Sequence, residues 1–528
     1  MAKSDLRIDI LGTSFSISAD EDRAYLESLL NYYRIKVENT RKRTGLQDPL
    51  KLALVTGFLL CDDIFKGKAG EEQDEAERLT LDLISRIDAA LSVGETAASS
   101  DGGEASEGSP AERERLPFFK LENTVKHYAW GSPRWIPRLL NQPNEKAEPW
   151  AELWMGVNPA GPSQAGEEGE RRSLGEIIAE YPDYYLGAEL RRNFGTLPFL
   201  FKLLAAGKPL SIQAHPGEEQ ARRGWERENQ AGLPPESPER NYRDPNGKPE
   251  LLCALGNFRA LCGFRERQDI RRLFEIFGGE DFDGDGVKPS EALKDALLDL
   301  KDALAGEEGL RDMLGLLLGL DAETRRDLGV YALAQAPQLE EAHPEYAGEW
   351  RAIAGLAELY PDDPGILAPL FLNLLRLKTG EAIFLPPGVL HAYLEGFGLE
   401  LQADSDNIIR GGLTAKHIDV EELFTILRFT PYQPAILQGA ELSAAKGWHT
   451  YRAVCREFSL YFAQSWGESL ALPPGPVIVL VTQGEARLFT EKGEELLLGP
   501  GESAFAAPGA AHLEGSFTAF AAGPGAYH

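Results

Sequence analysis

The sequence of 528 residues predicts a mainly β protein with a helical insertion, preceded by a smaller α+β domain. From about residue 116 onward, short apolar runs alternate with Gly and Pro turns, which is typical of β-strands. Between about residues 268 and 374, apolar residues recur at helical spacing, as in RRLFEIF and EALKDALLDLKDAL. The Gly- and Ser-rich stretch at 93–115 has the composition of a flexible linker and separates these regions from the first domain.

The first domain, residues 1–92, combines a strand pair with helices. LRIDILGTSFSISAD alternates around a central Gly and predicts a β-hairpin. Helical patterns follow at 21–44, 48–66 and 76–91. The third pattern places its apolar residues close to one stripe, so we expect it to pack as a coiled-coil helix against a partner helix.

Two stretches of the β region resemble each other. GEAIFLPPGVLHAYLEG begins at Gly380 and GESAFAAPGAAHLEG begins at Gly501, and at this offset Gly, Glu, Phe, Pro, Gly and His coincide. A strand, a Pro-Gly turn and a His on the return strand predict a β-hairpin used twice. The pattern resembles cupins, which are small jelly-roll barrels. The second copy, with His512, has no Gln-x-His pair upstream, so we expect a second barrel without a metal.

Composition excludes several classes of function. The net charge of −29 argues against a nucleic-acid partner. No apolar run approaches the length of a membrane span, so we expect no membrane partner. The four cysteines lack CxxC spacing and fit reduced thiols, which favours a cytoplasmic location.

The stretch PLSIQAHP predicts a strand with polar groups on one face. Gln213 and His215 are two residues apart, so both side chains point to the same side of the sheet. Glu250 in NGKPELL and His391 in the first repeat would complete a mixed nitrogen and oxygen set that suits Zn²⁺ or another first-row divalent ion. The alternative is that a strand histidine is only a hydrogen-bonded structural residue.

Five motifs in order resemble type I mannose-6-phosphate isomerases (phosphomannose isomerases). They are HYAWGS, EPWAELWMGVNPAGPS, LPFLFKLLAAGKPLSIQAHP, NGKPELLCALGNFRALCGF and GEAIFLPPGVLHAYLEGFGLELQADSDNIIRGGLTAKHIDV. The resemblance runs from about residue 116 to the end of the chain. It implies one zinc ion per chain, held by Gln213, His215, Glu250 and His391. It also implies interconversion of mannose 6-phosphate and fructose 6-phosphate, by proton transfer between C1 and C2 through a cis-enediol. The implied domains are a catalytic cupin domain at 116–267 with 375–435, a helical domain at 268–374 and a C-terminal cupin domain at 436–528.

The resemblance also assigns roles around the substrate. Arg410 is the expected stabiliser of charge on the reacting oxygens, and the other catalytic candidates are Lys248, Asp406 and Glu400. The substrate-binding candidates are Ser211, Lys202, Lys416, Tyr393, Glu152 and Trp130. Without the resemblance, each Lys and Glu would be read as a solvated surface charge. One departure stands out: the family commonly has His before KPE, where this chain has Gly247. Proton transfer is then left to Lys248, Asp406 or a metal-bound water.

The opening segment resembles the cell-division protein ZapA in LRIDILGTSFSISADEDRAYLESLLNYYRIKVENTRKRTG and DPLKLALVTGFLLCDDIFK. That resemblance implies homo-oligomerisation through the N-terminal helices and, as a sharper hypothesis, a tether to FtsZ. The competing interpretation of the whole chain is a non-catalytic cupin that binds sugar phosphates and acts through the ZapA-like domain. The stretch DFDGDGVKPSEA matches half of a calcium loop but has Ala292 at the twelfth place, so we interpret it as a solvated turn.

Overall fold

The computed structural model describes residues 115–525 except 167–168, 235, 280–287 and 510, and before them the strands at 4–10 and 13–19 with residues 37, 40, 41 and 56. The chain divides into two compact units, Met1–Ser109 and Pro110–His528. Among the described residues, no helix is long and apolar enough to cross a membrane.

The first unit contains the hairpin that the alternating sequence predicts. β1 (Ser4–Ile10) pairs antiparallel with β2 (Thr13–Ala19), from Ser4 opposite Ala19 to Ile10 opposite Thr13. The three predicted helices lie outside the described residues, apart from four helical positions at 37, 40, 41 and 56. The predicted linker also lies outside the described residues, except for its last residue. Most of the calcium-loop-like stretch lies outside the described residues as well.

Two large antiparallel sheets carry the second unit. The first sheet has ten strands: β4 (Thr124–Lys126), β5 (Glu152–Gly156), β8 (Phe199–Ala206), β9 (Ile212–Ala214), β10 (Glu250–Ala254), β11 (Phe258–Phe264), β12 (Leu372–Leu377), β13 (Ala382–Leu385), β14 (His391–Ala403) and β15 (Ile409–Gly412). The second has eight: β3 (Phe118–Leu121), β16 (Ala440–Glu441), β17 (Trp448–Tyr451), β18 (Ser459–Ala471), β19 (Val477–Phe489), β20 (Glu495–Leu498), β21 (Ser503–Ala506) and β22 (His512–Gly523). A separate two-stranded sheet is formed by β6 (Gln164–Ala165) and β7 (Arg172–Ser173), and Gln164 is bridged to Glu122 just after β3. The predicted mainly β architecture with helices is confirmed.

Helices pack on this framework. The described helices are α1 (Trp135–Leu139), α2 (Leu174–Glu180), α3 (Pro182–Asn193), α4 (Glu218–Gln230), α5 (Arg267–Gly278), α6 (Glu291–Ala303), α7 (Gly309–Leu318), α8 (Ala322–Ala342), α9 (Ala347–Leu359), α10 (Ala368–Phe371) and α11 (Val420–Ile426), with short 3-10 turns at Pro344–Tyr346 and Pro364–Leu367. The run α5–α10 falls between β11 and β12, where helical spacing predicts it. Its apolar faces, with Trp350 and Phe277 fully buried, form one core with the neighbouring strands.

The long strand β14 organises the first sheet. It pairs with β8, β10, β11 and β9, so four strands converge on it. At its start His391 lies opposite both Cys262 on β11 and Gln213 on β9. Residues from distant parts of the chain are therefore fixed side by side at this end of β14.

The repeated stretches form equivalent strand pairs, but the strands of each pair are not hydrogen-bonded to each other. In the first sheet β13 and β14 flank β10, and in the second β21 and β22 flank β19. The predicted hairpin is therefore wrong in its pairing, because a third strand is inserted between the two arms. The turn itself is shared, since Gly388 and Gly509 have φ of 82° and 66°, a conformation that favours glycine.

The first strand after the linker belongs to the second sheet. β3 pairs with β21, from Ser503 opposite Leu121 to Ala506 opposite Phe118. The sequence prediction placed this strand with 116–267, but it covers the edge of β21 that would otherwise be unpaired. The start of the β region and the end of the chain are thus joined in one sheet.

Candidate metal and substrate site

Three neighbouring strands, β9, β14 and β15, place Gln213, His391 and Arg410 on one face of the first sheet. Gln213 lies opposite His391 on one side and opposite Arg410 of β15 on the other. Residues directly opposite in an antiparallel pair have their side chains on the same face. The side chains of Gln213, His391 and Arg410 therefore form a row on this face. His215 comes two residues after Gln213, just past the end of β9.

His215, Glu250 and His391 form a compact buried cluster. His215 Nε2 is 3.2 Å from Glu250 Oε1, and His391 Nε2 is 3.6 Å from Glu250 Oε2. Two ligands at about 2.1 Å from a tetrahedral zinc ion lie about 3.4 Å apart, which these separations match. Within the part of the chain that the structure describes, it is the one group of three or more His, Cys, Asp or Glu residues with this geometry.

Hydrogen bonds fix both histidines with one nitrogen free. His215 Nδ1 lies 2.8 Å from the Asn407 carbonyl oxygen, and His391 Nδ1 lies 3.0 Å from the Val389 carbonyl oxygen. A carbonyl can only accept, so both Nδ1 atoms are donors and both Nε2 lone pairs point into the cluster. The two Nε2 atoms and Glu250 Oε2 are buried without a hydrogen-bond partner. Unpartnered buried acceptors that converge are what a metal cation would satisfy.

The protonation states also suit a cation. Burial lowers the pKa of His215, and burial together with His215 lowers the pKa of His391 to about 4. Burial alone would raise the pKa of Glu250, but its interactions with His215 and with the Lys248 ammonium hold it well below its ordinary value. At neutral pH the cluster thus has two neutral imidazoles and one carboxylate, the states in which these groups bind metals.

Two buried lysines lie beside the cluster. Lys248 Nζ is 3.0 Å from Glu250 Oε1. Lys202 Nζ donates to Glu400 Oε2 at 2.8 Å and to Gln402 Oε1 at 2.6 Å, and Glu152 Oε1 lies 3.7 Å from it. Its three N–H donors therefore face three acceptors within the protein, and its ammonium is held inside a network with two carboxylates.

The same network holds the acidic candidates. Glu152 Oε2 also accepts a hydrogen bond from Trp154 Nε1 at 2.7 Å. Burial raises the pKa of Glu400, although the positive charge of Lys202 opposes it. Burial and the negative charge of Glu400 raise the pKa of Tyr393 well above its usual value, and the Tyr393 hydroxyl is buried without a hydrogen-bond partner.

The remaining predicted residues lie nearer the surface. Ser211 Oγ donates to Gln213 Oε1 at 3.4 Å, and Trp130 stacks on Tyr128 with ring centroids 5.7 Å apart. Arg410 and the Asp406 carboxyl are partly buried, whereas Lys416 is exposed. The structure thus brings the predicted residues to one region of the sheet, in an inner buried layer and an outer one.

Gly247 is closed to any side chain. A Cβ at this position would lie 2.6 Å from the Glu218 backbone nitrogen and 3.0 Å from the Gly217 carbonyl carbon. The departure from the family pattern is therefore built into the backbone, because a histidine here would require the segment at 217–218 to move.

Asn407 is a residue that the sequence analysis missed. It is fully buried, its carbonyl orients His215, and its Oδ1 accepts from the backbone N–H of Arg243 at 2.7 Å. Its Nδ2 donates to the carbonyls of Asp244 and Asn246 at 2.8 and 2.9 Å. The only signal in the sequence is its place in SDNIIR, between Asp406 and Arg410.

These features define a mainly β protein with a buried site of the kind that holds a divalent metal. Residues 118–267 match the family model described as phosphomannose isomerase type I, catalytic domain, and residues 6–92 match that of cell division protein ZapA. The mannose-6-phosphate isomerase of Escherichia coli (strain K12) is 37% identical over 397 residues, which cover 74% of this chain and 94% of the relative. Mannose-6-phosphate isomerase 1 of Arabidopsis thaliana is 32% identical over 405 residues, covering 73% and 88%.

Solved structures agree. A zinc-bound mannose 6-phosphate isomerase is similar with a TM-score of 0.69 and 33% identity, over 78% of this chain and 100% of that one. The Salmonella typhimurium enzyme bound to fructose 6-phosphate and zinc gives the same values. The chain belongs to the type I phosphomannose isomerase family. The predicted resemblance and the predicted enzyme class, mannose-6-phosphate isomerase, are confirmed.

Proposed function

We propose that the chain interconverts mannose 6-phosphate and fructose 6-phosphate at one zinc site, with His215, Glu250, His391 and Gln213 as ligands. The observation that carries this proposal is the convergence of two imidazole nitrogens and a carboxylate oxygen that are buried without partners. The relatives and solved structures supply the substrate and the metal. Gln213 is included because it lies opposite His391 in the sheet.

Zinc at this site would supply an electrophile for the oxygens on C1 and C2. Arg410 lies next to Gln213 across the sheet and adds a permanent positive charge on the same face. Preorganised positive charge of this kind would stabilise the negative charge that develops on these oxygens as the proton leaves carbon on the way to the cis-enediol. Lys248, 3.0 Å from Glu250, keeps that ligand ionised and stays within the reacting region.

The proton that moves between C1 and C2 needs a carrier that is not residue 247, since no side chain fits there. Asp406 and Lys248 are the proposed carriers. Glu400 is proposed to assist them from the buried layer, because burial raises its pKa and so favours a protonated form that can give up a proton. Ser211, Lys416, Trp130, Tyr393, Lys202 and Glu152 are proposed to line the substrate pocket, the last three from the buried layer.

We further propose that 116–267 with 375–435 and 436–528 are two cupin-type barrels, and that residues 1–92 form an oligomerisation domain. The equivalent strand pairs around β10 and β19 support the first proposal. The ZapA family match over residues 6–92 supports the second. Light scattering on the full chain tests oligomerisation, and a pull-down with FtsZ tests the tether. If the chain is oligomeric but does not capture FtsZ, the domain serves oligomerisation and not the tether.

The isomerase proposal is tested by a coupled assay of fructose 6-phosphate with metal analysis of the same protein. We expect one zinc per chain, loss of activity with a chelator and recovery with zinc. His391→Ala should lose metal and activity together, whereas the repeat-related His512→Ala should keep both. Metal-replete protein without activity would contradict the proposal, and retained zinc with lost activity in H391A would make His391 a catalytic residue instead of a ligand.

A further inference from the structure

Beside the metal cluster lies a group of three cations without acidic partners. Within the described part of the chain, the side chains of Arg410, Lys416 and Arg243 form neither an ion pair with a carboxylate nor a hydrogen bond. Positive charges gathered in one place repel one another, and a bound anion relieves that repulsion. Elsewhere on this strongly acidic chain, arginines commonly pair with a nearby carboxylate, as Arg259 does with Glu395 at 2.8 Å.

The backbone of Arg243 is held firmly at this place. Its N–H donates to Asn407 Oδ1 at 2.7 Å, and the carbonyl of the same Asn407 orients His215. One buried side chain therefore links Arg243 to a proposed metal ligand, while the guanidinium itself is exposed. The backbone of Arg243 is already fixed, so only its side chain has to be ordered when a ligand binds.

The acidic neighbour of Arg243 does not neutralise it. Asp244 Oδ2 accepts from the Asp406 N–H at 2.8 Å, and Asp244 Oδ1 accepts from the Asn246 N–H at 2.9 Å. Both oxygens are thus turned toward backbone donors of the site. The Asp244 carboxylate therefore holds the backbone of the surrounding loops in place and does not pair with the guanidinium of Arg243.

Arg243 acts on the other two cations. Burial is the larger cause that lowers the pKa of Arg410, and the charge of Arg243 lowers it further. Burial, then Arg410 and Arg243, lower the pKa of Lys416. The three side chains are therefore close enough to repel one another. They form a positively charged patch that runs from the partly buried Arg410, one strand from the metal cluster, to the exposed Lys416 and Arg243.

We propose that Arg243 is a substrate-binding residue whose guanidinium, together with Lys416, binds the phosphate of the sugar phosphate. This rests on the proposed function, since Arg410 and the metal would take the C1–C2 end and the phosphate is carried on C6, at the other end of the sugar. A guanidinium matches two phosphate oxygens in a way that a lysine does not. Arg243 would thus select phosphorylated hexoses over free ones.

The test compares Arg243→Gln with the wild-type, zinc-loaded full chain. We expect KM for mannose 6-phosphate to rise about 10- to 100-fold, the loss of a charge-assisted hydrogen bond, while kcat changes by less than about threefold. Inorganic phosphate should weaken as an inhibitor by the same factor, and R243K should recover part of the loss. Arg271→Gln is the matched control, because Arg271 is exposed on α5 and paired with Glu275.

Zinc content should be equal in all variants. Unchanged KM and phosphate affinity in R243Q would overturn the proposal, and so would a fall in kcat at unchanged KM. Binding of inorganic phosphate is also measured directly by calorimetry on the zinc-loaded chain. If wild-type protein lacks isomerase activity but R243Q weakens phosphate binding, the proposed function fails and the phosphate site stands.

Discussion

The two large sheets share one strand arrangement but differ in what they enclose. In the first sheet Leu251 lies between Phe384 and Leu401, and in the second Ile478 lies between Phe505 and Ala522. These partners differ by the same offset as the sequence repeat, so β10 corresponds to β19. Glu250 then corresponds to Val477, and KPE of the first sheet to GPV at 475–477 of the second.

The correspondence extends to the buried charges. Lys202 lies opposite Glu400 in the first sheet, and Tyr461 lies opposite Ala521 at the matching place. By the same register Glu152 corresponds to Trp448. In the first sheet these positions hold a lysine between two carboxylates. In the second sheet the same positions hold aromatic and small apolar side chains. A common scaffold can hold either an apolar core or a polar site, and the residues facing inward decide which.

The largest expected effect comes from replacing Glu250 of the first sheet by valine, the residue at the corresponding position 477 of the second sheet. Glu250→Val should remove a ligand and the partner of Lys248, so zinc should be lost and activity should fall on the order of 10³-fold. Metal analysis and the coupled assay measure both. Glu395→Val, an exposed position on β14, is the control and should keep zinc and activity. Zinc at wild-type level in E250V would show that Glu250 is not a ligand.

The reciprocal exchange should cost stability without touching the site. Val477 is 1% exposed, so Val477→Glu would bury a carboxylate without a partner. We expect a loss of about 3–5 kcal/mol, seen as a lower melting temperature, with zinc content unchanged. Val454→Glu, at a position that is 97% exposed, should change the melting temperature little. An equally stable V477E protein would mean that the second sheet can house charge after all.

How much of this could be read from sequence depends on distance along the chain. The spacing of Gln213 and His215 fixes one face of one strand, and the family motifs identify Glu250 and His391 as their partners. The insertion of β10 between β13 and β14, and of β19 between β21 and β22, was missed because period-two patterns do not say which strands pair. Arg243 was missed because its role depends on a backbone contact to Asn407 across 164 residues.

The proton carrier can be identified by variants that keep the metal. Lys248→Met and Asp406→Asn should each be compared for kcat and for incorporation of solvent deuterium at C1 or C2. Loss of a general acid or base costs about 10²-fold or more, so the carrier's variant should lose both turnover and exchange. The other variant should retain exchange. If both variants exchange at the wild-type rate with zinc bound, neither residue carries the proton.

The smallest expected effect concerns Asp404, whose counterpart in the second sheet is Gly525. Burial raises the pKa of Asp404 to about 6, although the hydrogen bond from Asn158 opposes the shift. Because this folded-state pKa lies above the unfolded value near 3.9, the folded protein binds the proton more tightly. The stability contributed by this proton is present below about pH 4 and is lost as the pH rises through about 6. Asp404→Asn should therefore increase the free energy of unfolding at pH 7.5 by about 2 kcal/mol, which is measured as a higher melting temperature. At pH 4 it should give no gain. Asp299→Asn, exposed on α6, controls for the change in net charge. A gain in D404N that is equal at both pH values would show that the buried charge of Asp404 is not what destabilises this end of the site.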